Sequence, residues 1–417
     1  MAGMTDTSLH EEVAPATDAP ATRGLLVALV LVRVGALAYL LLSHQELVDG
    51  GLAGDVKRYM EMATAHGLPY RDFQVEYPPA TYLLIKLLSS EDHARSIALI
   101  AVSQFLCDLG IAALVGWAWG RRALLGYLLL GLPLMAFPFV YARVDLFSAL
   151  LAVAGLALLR RGREVPGGIG LATAVLAKLW PLAVAPVLIV ERRVKGLVAL
   201  VVTGAVGALS WAAFAGFSGF QQVLSFREAT GWQVESMPGI LWHLRDPSRI
   251  KFESGAFRTG VIPGWGRPAL TLVSIMLVAG AWWLAARRRR TGAGDHVSFA
   301  EAPLAAVLAV LLFAPILSPQ YIVWVLPFAA IIAARGDRLV GGLALAVSAV
   351  TTVTYALVPS AAEGNLYATL PVLGRNLLLV ALLVVAFQRL VGVRPETVAA
   401  GYVDPLDDRQ VTVGAPG

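Results

Sequence analysis

A chain of 417 residues, 58% hydrophobic and 15% charged, departs from the roughly 25% charged content of soluble domains, in the direction expected when lipid replaces water around most of the surface. Its single cysteine, Cys107, lies in an apolar run, which excludes a disulfide framework and a cysteine metal site. The net charge of +5 is not a nucleic-acid footprint, because the arginine clusters fall at the ends of apolar runs, where a membrane protein carries its topology signals.

The first 22 residues are acidic and rich in Ala, Pro and Thr, without the basic start and cleavage site of a signal peptide. Residues 1–23 read as a disordered cytoplasmic tail, and residues 392–417 as another. Between them, 24–391 reads as one transmembrane domain of about twelve apolar segments, each judged against the roughly 20 residues that a spanning helix needs. The run 24–42 follows Arg23 and leaves the cytoplasm; 94–119 returns to Arg121 and Arg122. Runs at 123–141 and 144–159 form a hairpin that ends in RRGR at 160–163. The segment 167–190 is interrupted by AKLWP, which predicts two short or broken helices. Runs at 196–215, 268–286, 302–317, 320–333, 339–358 and 372–391 follow, with the arginines at 287–290 and Arg335, Arg338, Arg389 and Arg394 at their inner ends. With both termini cytoplasmic, every short Arg-dense loop falls on one side. The external loops then cover about 43–93 and 216–266.

The first external loop holds GDVKRYMEMATAHGLPYRDFQVEYPP, residues 54–79. Asp55 precedes a short helical pattern stopped by Gly67, a position that suits an N-cap. The next stretch alternates Phe73, Val75 and Tyr77 with polar residues before Pro78 and Pro79 force an extended approach. ATYLLIKLLSS is too short to span and reads as interfacial, anchored by Tyr82 and Lys86. Further along, the outer positions collect Arg143 and Asp145, Lys178 and Trp180, then Arg227, Glu235, His243 and Arg245, and finally Ser318, Gln320 and Tyr321. Each has a bland reading as a cap, an ion pair, a snorkelling lysine beside a belt tryptophan, or a solvated loop charge. Together they place carboxylates, cations and aromatics on one face, while the other face shows little beyond Arg-rich connectors. That asymmetry fits an extracytoplasmic active site better than a transport route, which would put ionisable residues inside the spans. Arg33 and Asp108 are the main exceptions within the apolar runs and read as a pair across helices.

The first-loop stretch resembles the signature of the polyprenyl-phosphate-dependent glycosyltransferases of the GT-C superfamily, and more closely that of glycosyltransferase family 87, the actinobacterial alpha-mannosyltransferases. YARVDLFSALLAVAGLALL, LAKLWPLAVAPVLI, FREATGWQVESMPGILW and SPQYIVWVLPF continue the resemblance in order to about residue 330. The resemblance implies an all-α, GT-C-like bundle of about twelve transmembrane helices, with external loops forming the active site. It also implies an acceptor-activating aspartate in the first loop, matching Asp55, and an outer-face acidic residue after the third helix, matching Asp145. Mannose as the sugar rests on the resemblance alone.

The residue types fit the same chemistry without it. A sugar on a polyprenyl phosphate already carries its leaving group, so one carboxylate suffices as general base. Glycoside hydrolysis differs, because a second carboxyl must protonate a poor leaving group. The departing phosphate needs cations, for which Arg143, Lys178, Arg227 and His243 are candidates. Tyr77, Glu76, Glu235, Gln320 and Tyr321 complete the candidate substrate-binding set. No metal-ligand cluster or Gly-rich phosphate loop is present in the sequence, so neither metal nor cofactor is expected. The expected partners are a polyprenyl-phosphate sugar donor, a lipid or glycan acceptor and the bilayer, with no nucleic acid. The expected location is the plasma membrane, with both termini cytoplasmic and the active site external. A lipid-linked sugar flippase or other transporter is the alternative, with the broken segment 167–190 as part of its pathway. Transporters often pair such breaks between repeats, and this sequence shows one convincing interruption and no second half echoing the first.

Overall fold

The computed structural model describes residues 20–43, 54–224, 229–253, 255–362 and 365–393. Of the expected tails, 1–19 and 394–417 lie outside the described residues, as does Arg227, while residues 20–23 open the first helix. In chain order the helices are α1 (Pro20–Leu42), α2 (Gly54–Thr64), α3 (Pro79–Leu88), α4 (His93–Trp119) and α5 (Arg121–Leu130). There follow α6 (Asp145–Arg160), α7 (Glu164–Ala177), α8 (Val194–Ala215), α9 (Phe217–Leu224) and α10 (Met237–Arg245). The last are α11 (Gly266–Arg290), α12 (Ala302–Phe313), α13 (Leu326–Ala334), α14 (Arg338–Ala362) and α15 (Leu366–Val391).

Among the described residues, six helices are long and apolar enough to cross a membrane: α1, α4, α8, α11, α14 and α15. The other apolar runs fold as shorter pieces, and proline is the reason. It has no N–H to donate and disfavours helix in the residue before it. The run 123–141 stops at Leu130 and ends in a single 3₁₀ turn, Pro138–Ala142. In the segment 167–190, α7 ends at Ala177, Lys178 is extended, and another 3₁₀ turn spans Trp180–Ala183. The expected break there is present. A third 3₁₀ turn, Pro319–Trp324, separates α12 from α13. Where the short helices pack, small residues bring backbones together. A side chain at Gly168 of α7 would meet the carbonyl oxygen of Gly196 in α8 at 2.0 Å.

The long loop before α11 adds a feature that the all-α expectation lacked, a small antiparallel sheet. Strands β1 (Trp232–Gln233), β2 (Ile250–Glu253) and β3 (Ala256–Thr259) are ordered β1-β3-β2. The Glu253 carboxylate accepts hydrogen bonds from the backbone N–H groups of Thr230 and Gly231 and so holds the start of the loop to β2. Gln233 N donates to Pro315 O at 3.2 Å, which docks the sheet on the segment after α12. The helix α3 buries Tyr82 and Ile85 and exposes Leu83 and Leu87. Tyr82 packs its ring near Tyr70 and Phe73, so it is an internal contact and not the interfacial anchor expected.

Asp145 starts α6 and Arg160 ends it, and this helix defines two ends of the bundle. At the arginine end, Arg160 pairs with Asp295 at 2.9 Å, Arg288 with Glu301 at 3.1 Å, Arg289 with Glu191 at 2.8 Å and Arg389 with Asp337 at 2.5 Å. Arg193 approaches Glu164 at 3.6 Å. This end was expected to show little beyond arginine connectors. Its carboxylates, scattered singly along the chain, instead meet the arginines through the fold. In mid-bundle the expected pair of Arg33 and Asp108 forms, with Nε and Oδ2 2.9 Å apart.

Candidate active site

Asp55 is the second residue of α2 and sits in its first turn, one step inside the cap position expected. The helix N-terminus still favours its negative charge there. Oδ2 lies 2.6 Å from Arg143 Nη1, and Oδ1 is 4.0 Å from Arg58 Nη1. Arg58 also forms an ion pair with Glu76. Beneath Asp55, the rings of Tyr59 and Tyr77 meet edge to face, with centroids 5.8 Å apart. The Tyr70 hydroxyl donates to the Tyr77 carbonyl at 2.6 Å. Burial, reinforced by the charge of Asp55, pushes the Tyr59 phenol well above its ordinary value, so that ring stays neutral.

Arg143 follows the Pro138–Ala142 turn in an extended conformation. Its Nη2 is 3.4 Å from the hydroxyl of Tyr355 in α14, and the Tyr355 ring stacks on Phe139 at 4.0 Å. The buried Nε of Arg143 has no hydrogen-bond partner among the described residues.

Asp145 and Lys178 form an ion pair between the start of α6 and the break after α7. The lysine Nζ also lies 4.5 Å from the ring centre of Tyr321 and 4.9 Å from that of Trp324. Those two rings stack, and Trp324 stacks in turn on Trp180 at 5.1 Å. Trp180 is buried and donates from Nε1 to Ser148 Oγ at 3.2 Å, so it is a wall of this cluster and not a belt residue. Two 3₁₀ turns whose starts are 139 positions apart, Trp180–Ala183 and Pro319–Trp324, thus build one aromatic cradle around a lysine.

A third group centres on Glu235. Gln233 Nε2 donates to its carboxylate at 3.0 Å, and the guanidinium of Arg375 is 3.6 Å away. Arg375 Nη2 and Asn376 Nδ2, both from α15, donate to the Glu235 carbonyl at 2.5 Å and 3.1 Å. Burial pushes the Glu235 carboxyl up to about 7, with Arg375 and Gln233 drawing it part of the way back. Its charge is also coupled to that of Arg143 and to Tyr355. Of the residues expected at the site, the fold therefore gathers Asp55, Glu76, Tyr77 and Arg143 in one group and Asp145, Lys178 and Tyr321 in a second. Glu235 is coupled to the first through Arg143. His243 is buried on α10 and Gln320 on the Pro319–Trp324 turn. Sequence reasoning missed Arg58, Gln233, Tyr355, Arg375 and Asn376. Arg375 carried a readable signal, a cation inside the apolar run 372–391.

Beside the Lys178 break lies an apolar groove of about 310 Å³ between α7, α8 and α9, lined in part by Leu176, Leu179, Leu182, Trp211 and Phe220. Among the described residues no cluster of three metal-ligating side chains is present.

An ion-paired, aromatic-walled cluster stands at one end of an apolar helical bundle, with an apolar groove next to it. The chain belongs to glycosyltransferase family 87, whose sequence profile matches residues 75–319. It is accordingly a membrane glycosyltransferase. The match takes in Asp145, Lys178 and Glu235 but begins after Asp55 and ends before Tyr355 and Arg375. No curated protein matches the chain.

Proposed function

We propose that this chain transfers a hexose, mannose on the family resemblance, from a polyprenyl-phosphate sugar to a lipid or glycan acceptor at the extracytoplasmic face of the plasma membrane. The observation that carries the reading is the difference between its two aspartates. The Asp55 side chain is 25% exposed beside Arg143, whereas that of Asp145 is 4% exposed and held by Lys178. Asp55 is the carboxylate that an acceptor hydroxyl can reach.

In this reading the acceptor oxygen bonds to the anomeric carbon, the bond from that carbon to the phosphate oxygen breaks, and the hydroxyl proton passes to Asp55. The polyprenyl monophosphate leaves with its charge met by Arg143 and Lys178. A phosphate oxygen competes with Asp55 for Arg143, so donor binding loosens the hold on the base. Asp145 keeps Lys178 in place, and Tyr77, Glu76, Glu235, Gln320 and Tyr321 shape the surrounding walls. The apolar groove takes the first isoprene units. The arginine end faces the cytoplasm under the positive-inside rule, which leaves the site external and both termini cytoplasmic. The short helices on either side of each proline break bring the crossings to about twelve.

The test is incubation of the purified protein in lipid vesicles with radiolabelled polyprenyl-phosphate mannose and membrane acceptor lipids. Label is expected in the acceptor. Label that stays on the donor but changes leaflet would favour the flippase.

A further inference from the structure

The first N–H groups of any helix have no intrahelical partner. In α6 the preceding residue is Val144, and the helix has no side-chain cap of its own. Its cap comes from another span. Gln104 Oε1 on α4 accepts a hydrogen bond of 3.1 Å from Phe147 N, the third residue of α6. One turn further along the same face of α4 lies Asp108. Its carboxylate accepts from Tyr141 OH at 3.0 Å, Tyr127 OH at 2.7 Å and Arg33 Nε at 2.9 Å. Arg33 in turn donates to the carbonyls of Leu29 and Leu128. Tyr141 and Phe147 bracket Arg143 and Asp145, so two side chains of one helix grip both flanks of the turn that carries them.

Arg33, Gln104, Asp108, Tyr127 and Tyr141 are all completely buried. Ionisable groups inside a spanning bundle are costly, and well-packed apolar residues of the same volume often match or exceed the stability of a buried ion pair. Directional hydrogen bonds give what apolar packing does not, a fixed position for the group they hold. We infer that Gln104 and Asp108 are positioning residues for the transfer reaction, setting where Arg143 and Asp145 stand relative to Asp55 and Lys178. The inference rests on the proposed transfer function.

Tyr141→Phe removes one hydroxyl and leaves Asp108 its bonds to Tyr127 and Arg33, so it should fold. Gln104→Met keeps the length and removes the cap acceptor. Misplaced reacting groups cost rate steeply, and kcat should fall on the order of tenfold in each variant. The decisive measurement is a cycle with Arg143→Lys. A positioning bond that acts through Arg143 has little left to lose there, so Tyr141→Phe should cost less than about twofold more. Equal proportional losses in both backgrounds, tracking the folded fraction in detergent melts, would overturn the inference in favour of a structural bond. Wild-type kcat in both single variants would also overturn it. Should the wild type transfer no sugar, the proposed function falls, and binding of polyprenyl monophosphate carries the same cycle. Weaker binding in Tyr141→Phe, absent in the Arg143→Lys background, sustains the inference, and unchanged binding refutes it.

Discussion

At the arginine end, Arg389 reaches Asp337 at 2.5 Å and Arg289 reaches Glu191 at 2.8 Å; at the other end, Arg143 reaches Asp55 at 2.6 Å. Measured by distance the pairs are alike. Their settings are not. The arginine-end pairs join the ends of regular helices, and four successive arginines at the end of α11 outnumber their carboxylates. At the site end Arg143, Lys178 and Tyr321 stand on or beside three 3₁₀ turns, each with proline among its first two residues, and stacked aromatic rings form walls. There the charges balance more closely, and one carboxylate is left a quarter exposed. An ion pair is thus a tie in one place and partly open in the other, where the proposed function makes it a reactant, and the backbone beneath it is what separates the two settings.

The most drastic way to break this comparison is to reverse the ends. A reporter that works only in the cytoplasm, fused after residue 417, should be fully active; activity seen solely with an extracytoplasmic reporter would exchange the two faces.

Next in size is Asp55→Asn. The amide has nearly the shape of the acid but takes no proton, so transfer should drop by about 10²- to 10⁴-fold, with the detergent melt little changed. Near-normal transfer would move the search for the base to Asp145, Glu76 or Glu235.

Asp145→Asn should cost less, on the order of tenfold, because Lys178 keeps its aromatic cradle when the charge of Asp145 is gone. A dead Asp145→Asn beside an active Asp55→Asn would show that the two roles have been assigned in reverse.

At the arginine end the effect should fall on stability. Arg389→Gln leaves Asp337 buried without its cation, which typically costs about 3–5 kcal/mol. Transfer per folded molecule should stay within about twofold of wild type, since a tie far from the chemistry changes abundance more than rate.

The smallest effect is a pH dependence. Glu235 titrates near 7 in the folded chain against an ordinary value of 4.5. The folded state therefore holds the proton more tightly, and the stability this gives is complete below 4.5 and declines as pH rises towards 7. Wild type should lose melting temperature relative to Glu235→Gln between about pH 4.5 and 7. Parallel curves would mean that Arg375 holds Glu235 ionised throughout.

Much of the frame was legible in the chain. The break at Lys178 and Pro181 was readable and the arginine clusters announce one end, whereas the turns at Pro138 and Pro319 fall within or beside runs that read as continuous. The carboxylate partners of those arginines were not legible, because Arg160 meets Asp295 and Arg389 meets Asp337 across long separations. Trp180 next to Lys178 suggested an interfacial belt for a similar reason, since its real neighbour, Trp324, lies 144 positions away. The site showed the same limit. Asp55, Arg143, Asp145 and Lys178 could be named singly, but only the fold pairs Asp55 with Arg143, brings Tyr355 to Arg143 and brings Arg375 to Glu235.

The shortness of α6 has a consequence for the surrounding lipid. Its sixteen residues, at about 1.5 Å each, reach about 24 Å, less than the roughly 30 Å of a typical hydrocarbon layer. Under the proposed function, with Arg160 at the inner boundary, the Asp145–Lys178 pair would lie below the level at which a donor's headgroup rests in an undisturbed leaflet. In that arrangement either the bilayer would thin around this side of the protein or the proposed donor's phosphate would be drawn inward as it docks, and both costs grow with acyl chain length. Turnover should then follow membrane thickness, fastest in short-chain vesicles and slowing as the chains lengthen, a dependence that the spans of ordinary length do not impose.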